Sequence, residues 1–483
     1  MKLPFLLVFC LGVISLPAQA PFTQKQFEFR VEKDLVYGSS VDYAGQNTEL
    51  TLDLYKPIGD NNTDRPLLVM VHGGAWLAGC KENEAFFAEE FARRGYVVAS
   101  VNYRKGWHKD DYVPAAINPN VFPGGNCLYA ADSSELIRAI YRGQQDVKGA
   151  IRWLKARALA DSTCNQAVLV GGSSAGAFLA LAVGLLDRPE EKPDACYALA
   201  AAPIPAANVS NCYDYNCVTQ TIQPEGTALS RPDLGPVDGD LNQNGYNAEV
   251  LGVISIFGGV PYEASSKNWI QGPDTPALYL YHQTCDGIVP FGYGKPMSTI
   301  SVNCNLGFTP WHGNYPNIFG NGAIAAYLQP LLPAARLKTD FLECPAFNPA
   351  LALFECVRYN DNGSYHWAHA PAQRAQLMAD FFNPIITTKV NSMACLVPTK
   401  SPVGAMQLRI WPNPFNSEIT LELPQAPAQE TELALIDVTG NTVWSEKRKL
   451  SEGRNRIVLP ESLSNGFYHL IVRGTGGVAK LVK

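Results

Sequence analysis

Charge is scarce in this chain. Only 17% of its 483 residues are Asp, Glu, Lys or Arg, against about 25% in an average soluble protein. That shortage excludes charge-driven disorder and long coiled coils. Basic residues are in the minority: 38 Lys and Arg face 44 Asp and Glu, a net charge of −6. No basic block interleaves with aromatics, so a nucleic-acid partner is excluded. Beyond the first twenty residues no uninterrupted apolar run reaches about 18 residues, so no stable membrane span is expected. No Cys-x-x-Cys occurs, which removes zinc-ribbon and thioredoxin-type readings, and no internal repeat is present.

What remains is a loop-rich globular composition, 47% hydrophobic with 40 Gly and 35 Pro, long enough for two or three domains of about 150 residues. Residues 1–20 read as a secretory signal peptide. Lys2 is a short basic start, Leu3 to Leu16 an apolar core, and Ala18-Gln19-Ala20 a small-x-small cleavage site. A buried N-terminal strand or helix is the competing reading, and Pro21 is awkward directly after a cut. Export makes the eleven cysteines after Cys10 disulfide candidates, with one thiol left over from an odd number. Close spacing suggests Cys212–Cys217 and Cys344–Cys356 as pairs.

From about Leu67 to Phe382, short apolar runs alternate with helical periods. This is the pattern of an α/β fold, a mostly parallel sheet flanked by helices. Expected strands are Leu67–Val71, Val97–Tyr103, Ala167–Val170, Val253–Phe257 and Leu278–His282. Val147, Ile151 and Leu154, then Ala177, Leu181 and Leu185, mark helices. Val31 to Tyr55 reads as an antiparallel opening hairpin or meander. Pro203–Asn247 and Pro290–Asn362 read as loops and insertions over the carboxyl edge of the sheet. The boundaries expected are 21–395 for this domain, 396–405 for a linker and 406–483 for a small all-β sandwich. The sandwich strands expected are Ile419–Leu423, Glu432–Asp437, Thr442–Trp444, Arg456–Leu459, Phe467–Val472 and Ala479–Val482.

Chemistry concentrates at Val168-Leu169-Val170-Gly171-Gly172-Ser173-Ser174-Ala175-Gly176-Ala177. An apolar run leads into G-x-S-x-G and then into an Ala/Leu-rich helix. Gly172 and Gly176 permit a sharp turn that exposes Ser174 as a nucleophile, with the Ala175 N–H at a helix N-terminus as an oxyanion donor. About a hundred residues upstream, His72-Gly73-Gly74-Ala75-Trp76 closes another apolar strand. Its Gly-rich turn can aim the Gly74 and Ala75 N–H groups at a carbonyl oxygen, with His72 shaping the loop.

HGGAW, GYVVASVNYR (Gly95–Arg104), DVKGAIRWL (Asp146–Leu154) and GGSSAGA together resemble the α/β-hydrolase superfamily over roughly residues 30–385. The nearest branch is the secreted carboxylesterases, including feruloyl and acetylxylan esterases and some polyester-acting enzymes. The resemblance implies a Ser…Asp/Glu…His order. After Leu278–His282, Gln283-Thr284-Cys285-Asp286-Gly287-Ile288-Val289-Pro290 is similar to the family's His-Gly-x-x-Asp-x-x-Val-Pro turn, with Gln283 where Gly is usual. Asp286 is thereby the acid. The base precedes the last helix, in Gly363-Ser364-Tyr365-His366-Trp367-Ala368-His369. His366 fits the family pattern better and His369 stays open. The insertion between acid and base is long for the family; Trp311 and His312 within it read as structural.

The run Asp238-Gly239-Asp240-Leu241-Asn242-Gln243-Asn244-Gly245-Tyr246 has the look of a calcium loop. Counted from Asp240, however, Leu251 stands where an EF-hand needs Glu, so a turn is the preferred reading and no metal is expected. Beyond the linker, WPNPF (Trp411–Phe415), LIDVTGNTV (Leu435–Val443) and LSNGFYHLIV (Leu463–Val472) resemble type IX secretion sorting domains. That implies the secretion machinery as a partner and a cell-surface or extracellular destination; a carbohydrate-binding or fibronectin-like sandwich has a similar pattern. The function expected is a secreted serine hydrolase of carboxylic esters, without cofactor, using Ser174, Asp286 and His366 with Gly74, Ala75 and Ala175 as oxyanion hole. Small-molecule or polymer-borne esters are the substrates expected. The rivals are a peptidase or amidase on the same triad, and a non-catalytic surface-binding protein.

Overall fold

The computed structural model describes residues 21–108, 130–202, 230–266, 268–269, 275–296, 301–303, 307–309, 315–344, 365–390, 395, 409–423, 430–437, 442–464, 466–472 and 477–483. Residues 1–20 and 396–405, expected as signal peptide and linker, lie outside these residues, as do Cys212, Cys217, Trp311 and His312.

Eight strands form one sheet: β1 (Glu28–Val41), β2 (Asn47–Ile58), β3 (Arg65–Val71), β4 (Val97–Val101), β5 (Thr163–Ser173), β6 (Gly252–Ile256), β7 (Ala277–Gln283) and β8 (Leu337–Leu342). Their spatial order is β1-β2-β4-β3-β5-β6-β7-β8. β1 pairs with β2, and β2 with β4, in antiparallel fashion. From β4 onward every pairing is parallel. The central strands are apolar throughout because both faces are covered. Val69, Val170 and Leu280 enter one core with helices α2 (Ser134–Ala156) and α3 (Ala175–Leu185). Met70, Leu169 and Tyr281 enter the other with α1 (Ala85–Ala92) and the last helix of this domain, Pro371–Ile386.

Composition misread one stretch. Part of 290–362, expected as loops, carries helix Asn321–Leu328 and then β8. β8 is the edge strand LKTDFL, half-exposed and mixed in polarity, so it lacks the apolar run that marks its neighbours.

The disulfide expectation is also corrected. Cys344 pairs with Cys285 rather than Cys356. The two cysteines follow neighbouring parallel strands in register, Leu342 opposite Gln283, which brings their Cα atoms to 5.8 Å. Cys164 joins Cys395 across 231 residues of sequence. Among the described residues Cys196 is a free, buried thiol.

α2 is buried on almost all sides because residues 230–251 wrap its outer face without regular structure. Its polar side chains satisfy the carbonyls of that segment. Gln144 donates to Val237 O, Gln145 to Leu234 O and Pro236 O, and Arg152 to Asp238 O and Leu241 O. The calcium-like run belongs to this wrap. Asn242 donates to Tyr37 O and Gly149 O, Asn244 donates to Arg152 O, and Asp238 pairs with Lys148. Its amides are therefore committed to carbonyls of the protein.

The C-terminal strands form two antiparallel sheets. Arg409–Trp411, Glu418–Leu423 and Gly453–Val458 make one. Thr442–Arg448, Thr431–Asp437, Phe467–Val472 and Gly477–Val482 make the other. Ile419, Leu421, Leu433, Leu435 and Leu470 from both sheets share one core, separate from the two cores of the large sheet.

Candidate active site

The parallel strands end at a common level, with Val71 opposite Gly172 and Ser173 opposite Ile256. The chain leaving β3, β5, β6 and β7 therefore delivers His72–Trp76, Ser174, Phe257 and Asp286 to one edge.

Ser174 sits between β5 and α3 with φ 54° and ψ −123°, strained for a residue with a Cβ. Its N–H is held by Ile256 O, and its carbonyl starts the helix by accepting from Ala177 and Phe178. The flanking glycines are obligatory by contact. A Cβ on Gly176 would lie 1.9 Å from Val71 O, and one on Gly172 would lie 2.5 Å from Gly176 C.

The His72–Trp76 turn faces this elbow. Gly74, Ala75 and Trp76 all have positive φ, 112°, 50° and 57°. The turn is closed by Leu77 and Ala78 N–H bonds to Gly74 O. It is anchored by Trp76, buried against Phe178 and Trp107. No backbone acceptor among the described residues engages the N–H groups of Gly74, Ala75 or Ala175. His72 is fully buried, stacked on Tyr103 at 4.4 Å, with Nδ1 2.7 Å from Gly73 O. Burial, and then Lys105, hold its pKa down at about 3, so it is a neutral loop-shaping residue.

His366 reaches the elbow from the segment before helix Pro371–Ile386. Its Nε2 lies 2.7 Å from Ser174 Oγ and its Nδ1 2.7 Å from Asp286 Oδ2. His369 points elsewhere: it is exposed, its ring lies against Trp367, and its N–H donates to Tyr281 OH. Asp286 is buried. Its Oδ1 accepts from Ile288 and Val289 N–H, which close the acid turn. Burial pushes its carboxyl up, but hydrogen bonds from His282 and His366 overcome this and hold it below its usual value.

Four supporting residues escaped the sequence reading. Phe257 packs on His366 with ring centroids 4.4 Å apart. Gln283, at the family's glycine position, donates to Trp367 O at 2.8 Å and ties the acid turn to the histidine segment. Glu84, buried, takes a hydrogen bond from Ser173, and desolvation raises its pKa to about 8. His282 lies 3.3 Å from Asp286 Oδ2. Gln283 and His282 stood in the motif read for the acid turn, Gln283 only as a departure from glycine and His282 only as a strand end. Among the described residues no cluster of His, Cys, Asp or Glu is arranged to hold a metal ion.

Residues 52–119 match the BD-FAE family, and residues 409–483 match the secretion system C-terminal sorting domain. No curated protein matches the chain. Among solved structures, a thermophilic esterase of Thermogutta terrifontis with bound propionate is 16% identical at a TM-score of 0.39, covering 78% of this chain and 98% of that one. A truncated carbohydrate esterase from gut microbiota is 16% identical at 0.38, covering 76% and 100%. A bifunctional GH43-CE protein of Bacteroides eggerthii is 16% identical at 0.38, covering 74% and 35%. The sorting-domain match marks the chain for type IX secretion to the cell surface or beyond, and no helix among the described residues is long and apolar enough to cross a membrane. The chain thus joins a mostly parallel α/β sheet, similar over residues 52–119 to BD-FAE, to antiparallel sheets similar over residues 409–483 to the secretion system C-terminal sorting domain.

Proposed function

We propose that the protein is a secreted serine hydrolase of carboxylic esters, with Ser174 as nucleophile, His366 as base and Asp286 as its orienting acid. One observation carries this reading: the unbroken hydrogen-bonded chain from Ser174 Oγ through His366 to Asp286, at a strained turn between strand and helix. Asp286 can only accept, so Nδ1 of His366 carries the proton and Nε2 is left to take the one on Ser174. As Ser174 Oγ attacks the ester carbon, the carbonyl π pair moves to oxygen. The N–H groups of Gly74, Ala75 and Ala175 receive that oxyanion. The tetrahedral adduct collapses with loss of the alcohol, which takes the proton from His366. Water, deprotonated by His366, then frees the acid and Ser174.

Hydrolysis of p-nitrophenyl esters from acetate to long acyl chains by wild type and Ser174→Ala tests this. Turnover should fall by about 10⁴-fold or more in the variant, and the chain-length profile reports the acyl pocket. Full activity in Ser174→Ala would remove the mechanism.

A further inference from the structure

Asp286 has two histidine neighbours, and the mechanism above uses one. His282, the penultimate residue of β7, is fully buried. Its Nε2 lies 3.1 Å from Val289 O and 3.3 Å from Asp286 Oδ2. A carbonyl oxygen can only accept, so Nε2 carries a proton. Among the described residues the buried Nδ1 has no hydrogen-bond partner, and the Phe291 ring meets the imidazole edge-on. The nitrogen that donates to Val289 O thus also lies within 3.3 Å of the carboxylate oxygen that faces His366.

We propose that His282 is a positioning residue for the hydrolytic site: its Nε2–H shares Asp286 Oδ2 with His366 Nδ1–H and so limits how strongly the carboxylate holds a protonated His366. This rests on the ester-hydrolase reading above and deepens it. A carboxylate oxygen relieved of its second donor is a stronger partner for the remaining one.

Among the described residues few other ionisable groups approach. On the opposite face of β7, Tyr281 lies under Arg374 of the Pro371–Ile386 helix, which pairs with Asp340 of β8. Beyond the turn, exposed Glu343 accepts from Thr284 at 3.4 Å. The Asn321–Leu328 helix contributes uncharged Asn321, bonded to Ser255 O and Tyr281 O.

The test is the pH profile of kcat/KM on p-nitrophenyl acetate for the full chain carrying His282→Leu, His282→Asn or His282→Gln. Leu removes the donor. Asn places an amide near the position of Nδ1, short of Asp286, whereas Gln extends its amide to the position of Nε2. The acidic limb should move up by about half a unit in Leu and Asn and return to the wild-type position in Gln. An unmoved limb in Leu and Asn, or a Gln limb displaced like theirs, would overturn the proposal. Where His282→Leu does not fold, the Asn and Gln pair decides. Activity surviving Ser174→Ala would instead defeat the ester-hydrolase reading itself. Inactive Ser174→Ala with unmoved limbs in the His282 variants defeats only this inference.

Discussion

On the side of the His72–Trp76 turn, Ser174 is held by backbone against backbone, Gly176 beneath Val71 O and Gly73 beside Ser173 O. On the side of His366 it is met by side chains from segments distant in sequence, tied by Gln283, His282 and the Cys285–Cys344 bridge. The first flank is rigid because no atom has room to move. The second is rigid because several modest interactions converge on a short turn. Close packing fails abruptly when one atom is added, whereas converging tethers fail by degrees as each is removed. The two flanks should answer mutation differently.

The largest effect is expected on the packed flank. Gly176→Ala sets a methyl group against a backbone carbonyl that cannot retreat without breaking the β3–β5 pairing. Destabilisation of about 3 kcal/mol or more is expected, with loss of fluorophosphonate labelling in step. Urea unfolding followed by circular dichroism measures it; a variant as stable as wild type would mean that the turn is looser than the contacts state.

On the tethered flank, Gln283→Gly restores the residue usual at this turn and deletes the bond to Trp367 O. A hydrogen bond of about 1 kcal/mol corresponds to roughly a fivefold fall in kcat. KM for p-nitrophenyl acetate should stay constant, because the tether orients His366 and lies away from the ester. Initial-rate kinetics decide; a fall through KM alone would place Gln283 among substrate contacts.

A third test probes the boundary between the flanks. Glu84 lies under the elbow with its pKa raised from 4.5 to about 8. Between those values the folded state keeps a proton that the unfolded chain has released, so this residue's contribution to stability declines as pH rises. It is complete below about pH 4.5 and lost on passing pH 8. Glu84→Gln should therefore gain on wild type between pH 5 and pH 8, read as the difference in urea midpoints at the two values. An equal difference at both would show that Glu84 is ionised throughout.

The same contrast explains what could be read in advance. HGGAW and GGSSAGA are contiguous, and Gly73, Gly74, Gly172 and Gly176 stand where an added Cβ would meet backbone atoms, so the packed flank was legible residue by residue. Asp286 and His366 were legible only through resemblance, since 80 residues separate them. The choice between His366 and His369 needed the direction in which the loop presents each ring. β8 went unseen because an edge strand, half-exposed, carries no apolar run. Cys344–Cys356 was the nearer pair in sequence, but parallel register brought Cys344 to Cys285. His282 and Gln283 stood in plain view at the end of a strand, with nothing local to indicate what they face.

By itself the sequence determined what depends on neighbours along the chain. Alternation of apolar runs and helical periods set the α/β class, glycines at fixed offsets set the elbow and the His72–Trp76 turn, and the sorting-domain motifs set the destination. Only the tertiary structure decided which cysteines meet, which histidine reaches Ser174 and which second histidine lies beside Asp286. Those are contacts between segments brought together by strand register and burial, and a one-dimensional pattern holds no record of distances closed by folding.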